Sequence, residues 1–136
     1  MLSQTYLFPS LITALALILY QTLAANVGRA RFKYNVMPPA TTGNEDFERV
    51  LRVQQNTLEQ LVFFLPSLWL FSVYVNPTWG AVLGLVWVVG RIAYAWGYYQ
   101  AAEKRMIGFA LSMLSGLTLV LGAFGAIVAQ IAQFLG

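Results

Sequence analysis

The chain has 136 residues, of which 59% are apolar and only 10% charged, and its net charge is +3. A soluble domain carries roughly a quarter charged residues, so this balance excludes an ordinary water-soluble globule, and a weak positive charge gathered at helix ends gives no support to a nucleic-acid partner. Cysteine and histidine are both absent, which excludes disulfides, thiolate metal sites, a protein-borne thiol nucleophile and the usual general base, and no metal site is expected.

The charges, eight basic and five acidic, all lie between Arg29 and Arg105, while residues 1–28, 60–90 and 106–136 carry none. About 20 apolar residues cross a bilayer core. The expected fold class is therefore an all-α integral membrane bundle of four transmembrane helices, a single domain over residues 1–136. The first span is expected over about 3–28, ending where "GRARFK" begins; without a positively charged start it reads as a retained membrane helix. Pro38-Pro39 forbids helix and Gly43 marks a turn in the loop that follows. Thr42 with Glu45, or Asn44 alone, is the candidate cap of the second helix, expected over about 45–75. Pro66 should kink that helix without ending it, because neighbouring helices can satisfy the freed carbonyl. "NPTW" at Asn76–Trp79 reads as a tight turn, with the third helix over about 78–105 and the fourth over 108–135.

At 1.5 Å per residue the second helix is roughly 46 Å long, and its uncharged part, Leu61–Val75, roughly 22 Å. The hydrocarbon core is about 30 Å thick. Part of the segment from Arg52 to Glu59 must then lie at or just inside the interface, where polar side chains are costly and mark functional sites by default. Arg29, Arg31, Lys33, Arg49 and Arg52 gather around the first loop, and Lys104 and Arg105 at the third. The excess of cytoplasmic Lys and Arg predicts that loops one and three face the cytoplasm and both termini the opposite side, in a bacterial inner membrane or the endoplasmic reticulum.

With each residue turning about 100°, Glu48, Arg52, Gln55, Asn56 and Glu59 form one polar stripe over three turns of the second helix. Gln54 points off that stripe and needs a partner from another helix or another subunit. Arg91, Tyr94, Tyr98, Ala102 and Arg105, spaced three, four, four and three apart, form a matching stripe on the third. Interfacial ion pairs or an aromatic belt would account for such residues taken singly. Ion pairing does not require Arg, Asn, Glu, Gln and Tyr all at one depth, whereas a zwitterionic ligand does. Arginine offers a bidentate fork to carboxylates, glutamate suits an ammonium, and asparagine and tyrosine both donate and accept. The complement is a small molecule with two carboxylates and one amine, such as glutathione, another small peptide or an amino-acid derivative.

The run "PPATTGNEDFERVLRVQQNTLEQLVFFLP" followed by "RIAYAWGYYQAAEKR" closely resembles the MAPEG family, membrane-associated proteins in eicosanoid and glutathione metabolism, on its microsomal glutathione transferase and leukotriene C4 synthase branch. The specific part is Phe47, Glu48, Arg49, Val50, Arg52, Gln54, Asn56 and Glu59. The resemblance implies a homotrimer of four-helix subunits with glutathione as co-substrate, bound between subunits on the cytosolic side. It implies contacts to glutathione from Arg52, Asn56 and Glu59 on the second helix and Tyr94 and Tyr98 on the third, with Arg31 and Gln54 reaching in from the neighbouring subunit. Arg105 matches the arginine that activates the thiol. The chain departs from the leukotriene-forming pattern at Gln60, where a tyrosine is expected beside the ligand, and at Phe32, where a second arginine is expected.

The resemblance thus implies a membrane-bound glutathione transferase that conjugates the glutathione thiolate to hydrophobic electrophiles arriving from the bilayer lipids, with reduction of lipid hydroperoxides open to the same thiolate. A co-substrate that brings its own nucleophile fits a chain lacking Cys and His. The alternative is a non-catalytic lipid-binding protein of the lipoxygenase-activating type, a branch that departs from the transferase pattern at the position matching Arg105. A proton-coupled transporter would be expected to place an acid inside an apolar span, whereas Glu59, the deepest acid, lies at the cytoplasmic edge.

Overall fold

The computed structural model describes residues Leu2–Gly136, with side chains from Gln4 onward; Met1, ahead of the expected first span, lies outside the described residues. A short helix, α1 (Leu2–Thr5), leads into four long ones: α2 (Leu7–Tyr34), α3 (Glu45–Tyr74), α4 (Pro77–Gln100) and α5 (Met106–Leu135). Each long helix is of a length and hydropathy able to cross a membrane, α5 together with the turn that precedes it. Their outward faces carry large apolar side chains in the open, among them Phe8, Ile18, Val62, Trp96, Ile107, Leu114 and Phe124. An apolar exterior on such helices suits contact with lipid tails.

Local chemistry sets the helix ends. Asn44 caps α3, its Oδ1 accepting from the Phe47 amide at 3.0 Å, and three acids occupy the first turn beside the positive end of the helix dipole. The same device starts α4: Asn76 Oδ1 accepts from the Trp79 amide at 2.9 Å and Pro77 fills the first helical position. Helix α3 runs through Pro66 from Glu45 to Tyr74.

Two helix ends differ from the sequence expectation. The first long helix does not stop at Gly28; it continues through "GRARFK" to Tyr34 and ends on Asn35 in the left-handed region, φ 56°. Arg31 and Lys33 occupy its last turn, where the negative end of the dipole favours cations. The third span does not reach Arg105. It ends at Gln100, Ala101 is extended, and Ala102–Arg105 form a 3-10 turn before α5 begins at Met106.

The core is a stack of apolar and aromatic side chains centred on Phe64 and Trp87, whose rings lie parallel with centroids 3.9 Å apart. Glycines bring the helices close. A methyl group on Gly84 would come within 2.7 Å of Ile12 and 3.2 Å of Leu68; on Gly116 it would come within 2.9 Å of Phe63; on Gly108 it would overlap the Tyr94 backbone nitrogen. Gly80, Gly84, Gly116 and Gly122 are thus taken up by packing within one chain. Small residues can also let helices of another subunit approach closely; at these four positions the space is already filled within the chain, whereas a methyl group on Gly125 would meet nothing within 4 Å.

Candidate functional site

The polar end of the bundle is formed by the C-terminus of α2, the first loop, the start of α3 and the connection from α4 to α5. Asn26 on α2 donates to the Tyr99 hydroxyl on α4 at 3.2 Å. Between these elements lies a cavity of about 500 Å³, walled by Thr41 of the loop, Glu45, Glu48, Arg52 and Gln55 of α3, and Tyr98 of α4. Ala102 of the 3-10 turn closes one side. All the basic residues except Arg91 lie at this end of the bundle, on these elements.

Arg52 and Glu59 stand two turns apart on α3 and bond directly, Nη1 to Oε1 at 3.1 Å, with both side chains about half exposed at 45% and 56%. An exposed pair of this kind contributes only about 0–1 kcal/mol. Its two members can therefore be drawn apart by a ligand that offers a carboxylate to one and an ammonium to the other at little cost.

The stripe expected on the third span is realised as a ladder of rings and guanidinium groups. Arg91 lies over the Tyr94 ring, 4.0 Å from its centroid. Tyr94 meets Tyr98 edge to face at 5.5 Å, and Arg105 lies 5.6 Å from the Tyr98 ring centre. Cation–π contact and aromatic packing each favour this order. Tyr94 is buried, while Tyr98 and Arg105 are half-buried at the rim. Arg105 keeps its place in the ladder although its helix has ended, because the 3-10 turn folds it back and its Nη1 donates to the Ala102 carbonyl.

Arg91 departs from the expected open stripe. It is wholly buried, and donates through Nη2 to Asn56 Oδ1 at 2.7 Å and Thr57 Oγ1 at 2.9 Å, and through Nη1 to Ser112 Oγ at 3.5 Å. Asn56 is thereby tied to α4 at one end of its amide. Gln54 finds its partner on another helix of the same chain: Nε2 donates to the Tyr20 hydroxyl on α2 at 2.7 Å. Arg31 clasps the first loop, its Nη1 donating to the carbonyls of Val36 at 3.0 Å and Ala40 at 2.8 Å, with its guanidinium 4.9 Å from the Phe47 ring centre.

Of the eight expected site residues, Arg52 and Tyr98 line the cavity; Glu59 joins it through Arg52, and Tyr94 and Arg105 through Tyr98. Asn56 lies behind, against Arg91, while Arg31 and Gln54 are engaged elsewhere. Tyr20, Thr57 and Ser112 did not stand out in the sequence; a lone phenol and two hydroxyls in apolar spans give no periodic signal. Among the described residues no group of three or more Asp, Glu, His or Cys is placed to hold a metal ion.

The sequence profile of the MAPEG family matches residues 9–125. A Synechocystis sp. protein described as uncharacterized is 70% identical over 127 residues, 93% of either chain. Human microsomal glutathione S-transferase 2 is 48% identical over 103 residues, 75% of this chain and 70% of that protein. Leukotriene C4 synthase of Cavia porcellus is 40% identical over 95 residues, 70% of this chain and 63% of the synthase.

Proposed function

The chain belongs to the MAPEG family, and we propose that within it the protein is a membrane-bound transferase joining the thiolate of glutathione to hydrophobic electrophiles. The observation that carries this reading is the pairing of Arg105 with Tyr98 at the rim of a polar cavity that also holds Arg52. The similarity to a relative named for glutathione transfer supports glutathione as the co-substrate.

On this proposal Arg52 and Glu59 exchange their mutual bond for the carboxylate and ammonium of glutathione, while Asn56, Tyr94 and Tyr98 supply further hydrogen bonds. Arg31 and Gln54 complete the site from a neighbouring subunit of a homotrimer, exchanging for the ligand the bonds they make within their own chain to Val36, Ala40 and Tyr20. The end of the bundle that carries this cluster of basic residues faces the cytoplasm, and both termini face the other side.

Arg105 then activates the thiol. A free thiol has a pKa of about 8.5 and is mostly protonated at neutral pH. A guanidinium beside the sulfur stabilises the anion and lowers that pKa. The proton leaves to water and the thiolate attacks an electrophilic carbon held at the bilayer edge; the carbon–sulfur bond forms as the carbon's bond to its leaving group or epoxide oxygen breaks, and the displaced anion leaves or takes a proton from water. Proximity and electrostatic stabilisation supply the rate.

The test is a pH titration of ultraviolet thiolate absorbance on adding glutathione to the detergent-solubilised protein. A thiolate band well below pH 8.5 supports the transferase reading. Glutathione binding without the band overturns it in favour of a lipid-binding role, and no binding removes glutathione from the site altogether.

A further inference from the structure

Arg91 is a full positive charge with no exposed surface, held inside the bundle. Among the described residues no carboxylate forms an ion pair with it, and its Nε finds no acceptor. A buried guanidinium without a counter-anion is costly, so its neighbours are informative. Its partners are all neutral oxygens: Asn56 Oδ1, Thr57 Oγ1 and Ser112 Oγ.

Arginine has donors only. The Asn56 amide atom lying 2.7 Å from Nη2 must therefore be its oxygen, and the amide cannot turn over without setting two donors against each other. With the oxygen fixed inward, the Asn56 amide nitrogen is the part left over. Asn56 is only half-buried, and among the described residues nothing accepts from that nitrogen. The Tyr94 ring, packed 4.0 Å from the same guanidinium, is fixed by the same residue.

We infer that Arg91 is a positioning residue: it locks Asn56 as a one-sided donor, so that the site accepts an anionic group of its ligand at that point and refuses a cationic one. The inference rests on the glutathione reading and adds a selectivity device to it. Arg91 does not touch the ligand; it acts through the orientation of one amide.

Asn56→Asp separates this role from simple support of the fold. The aspartate would give the buried guanidinium its missing counter-anion, so the thermal midpoint of the variant should equal or exceed that of the wild type. Where, on the glutathione reading, the Asn56 amide nitrogen donates to the ligand, it would also put an anionic oxygen. Affinity for glutathione should then fall about ten-fold or more relative to affinity for glutathione diethyl ester, whose carboxylates are masked. Arg91→Met, which frees Asn56 to rotate, should lower the same ratio. A merely structural role would weaken both ligands alike and leave the ratio unmoved. The measurement is calorimetric titration of both ligands on the detergent-solubilised full chain, with thermal melts beside it. A melt of Asn56→Asp below wild type, or an unchanged ratio in that variant, overturns the inference while leaving the glutathione reading in place. A wild type that binds no glutathione overturns both.

Discussion

Arg105 sits 5.6 Å from the ring centre of Tyr98, although the helix that carries Tyr98 ends at Gln100 and a 3-10 turn intervenes. The contact is thus made by a turn against a helix, and the guanidinium is fixed at the rim of the cavity by one ring and one backbone carbonyl.

Arg105→Ala should retain glutathione affinity within a few-fold, since Arg52 and the α3 stripe remain, but lose turnover by about 100-fold or more, the scale of one lost electrostatic stabiliser. The sign with pH follows from the cation. It lowers the thiol pKa, so wild-type turnover should reach its plateau below the free thiol's value of about 8.5. In the variant the rising limb moves up toward that value. Steady-state rates between pH 6 and about 9.5 check it; coincident profiles would remove Arg105 from the chemistry.

Gly108→Ala tests the α4–α5 crossing. Its methyl would overlap the Tyr94 backbone nitrogen and lie 2.5 Å from the Gly90 carbonyl oxygen, both rigid backbone atoms. Overpacking of this kind costs about 1–3 kcal/mol or more. Gly28→Ala, on α2 with nothing within 4 Å of the new atom, should instead be neutral or stabilising by about 0.5–1 kcal/mol. Thermal melts in one detergent should show a lowered midpoint for Gly108→Ala and an unchanged or raised one for Gly28→Ala.

Tyr20→Phe removes the hydroxyl that accepts from Gln54 at 2.7 Å. The loss should cost about 0.5–1.5 kcal/mol in stability. If Gln54 also reaches the ligand of an adjoining subunit, glutathione affinity should fall as well, because the freed amide loses its aim. A change in the melt without a change in affinity would restrict Gln54 to packing.

Glu59→Gln breaks the ion pair with Arg52 while keeping a similar shape. Stability should change by less than about 1 kcal/mol, as for other exposed pairs. Glutathione affinity should fall several-fold through loss of the group that meets its ammonium, and S-methylglutathione, which keeps that ammonium, should show the same loss. Equal affinities in wild type and variant would place the ammonium elsewhere.

Four apolar spans, Asn44 as one of two candidate caps, and the polar stripe of α3 are legible because charge-free runs and 3.6-residue spacing are local properties; the Asn76 cap is not, since "NPTW" reads as a tight turn whereas α4 already begins at Pro77. The end of α2 is not legible at Gly28: a run of charged residues looks like a stop in sequence, whereas at a helix C-terminus Arg31 and Lys33 favour continuation and Asn35 supplies the left-handed exit. The break at Ala101 was hidden because the spacing of Arg91, Tyr94, Tyr98 and Arg105 fits an unbroken helix, and the 3-10 turn brings Arg105 to nearly the same place. Burial of Arg91 depends on Asn56, Thr57 and Ser112, which lie 35, 34 and 21 residues away, and no local pattern encodes it.

The turn Ala102–Arg105 contributes no buried residue. The position proposed for thiol activation is therefore mechanically separable from the bundle core: its side chain touches one ring, that of Tyr98, and can be exchanged without disturbing a buried contact. A protein built this way can gain or lose reactivity through one codon while its ligand cavity and its seat in the bilayer persist. Catalysts and silent binders could then share one scaffold and diverge at a single surface turn.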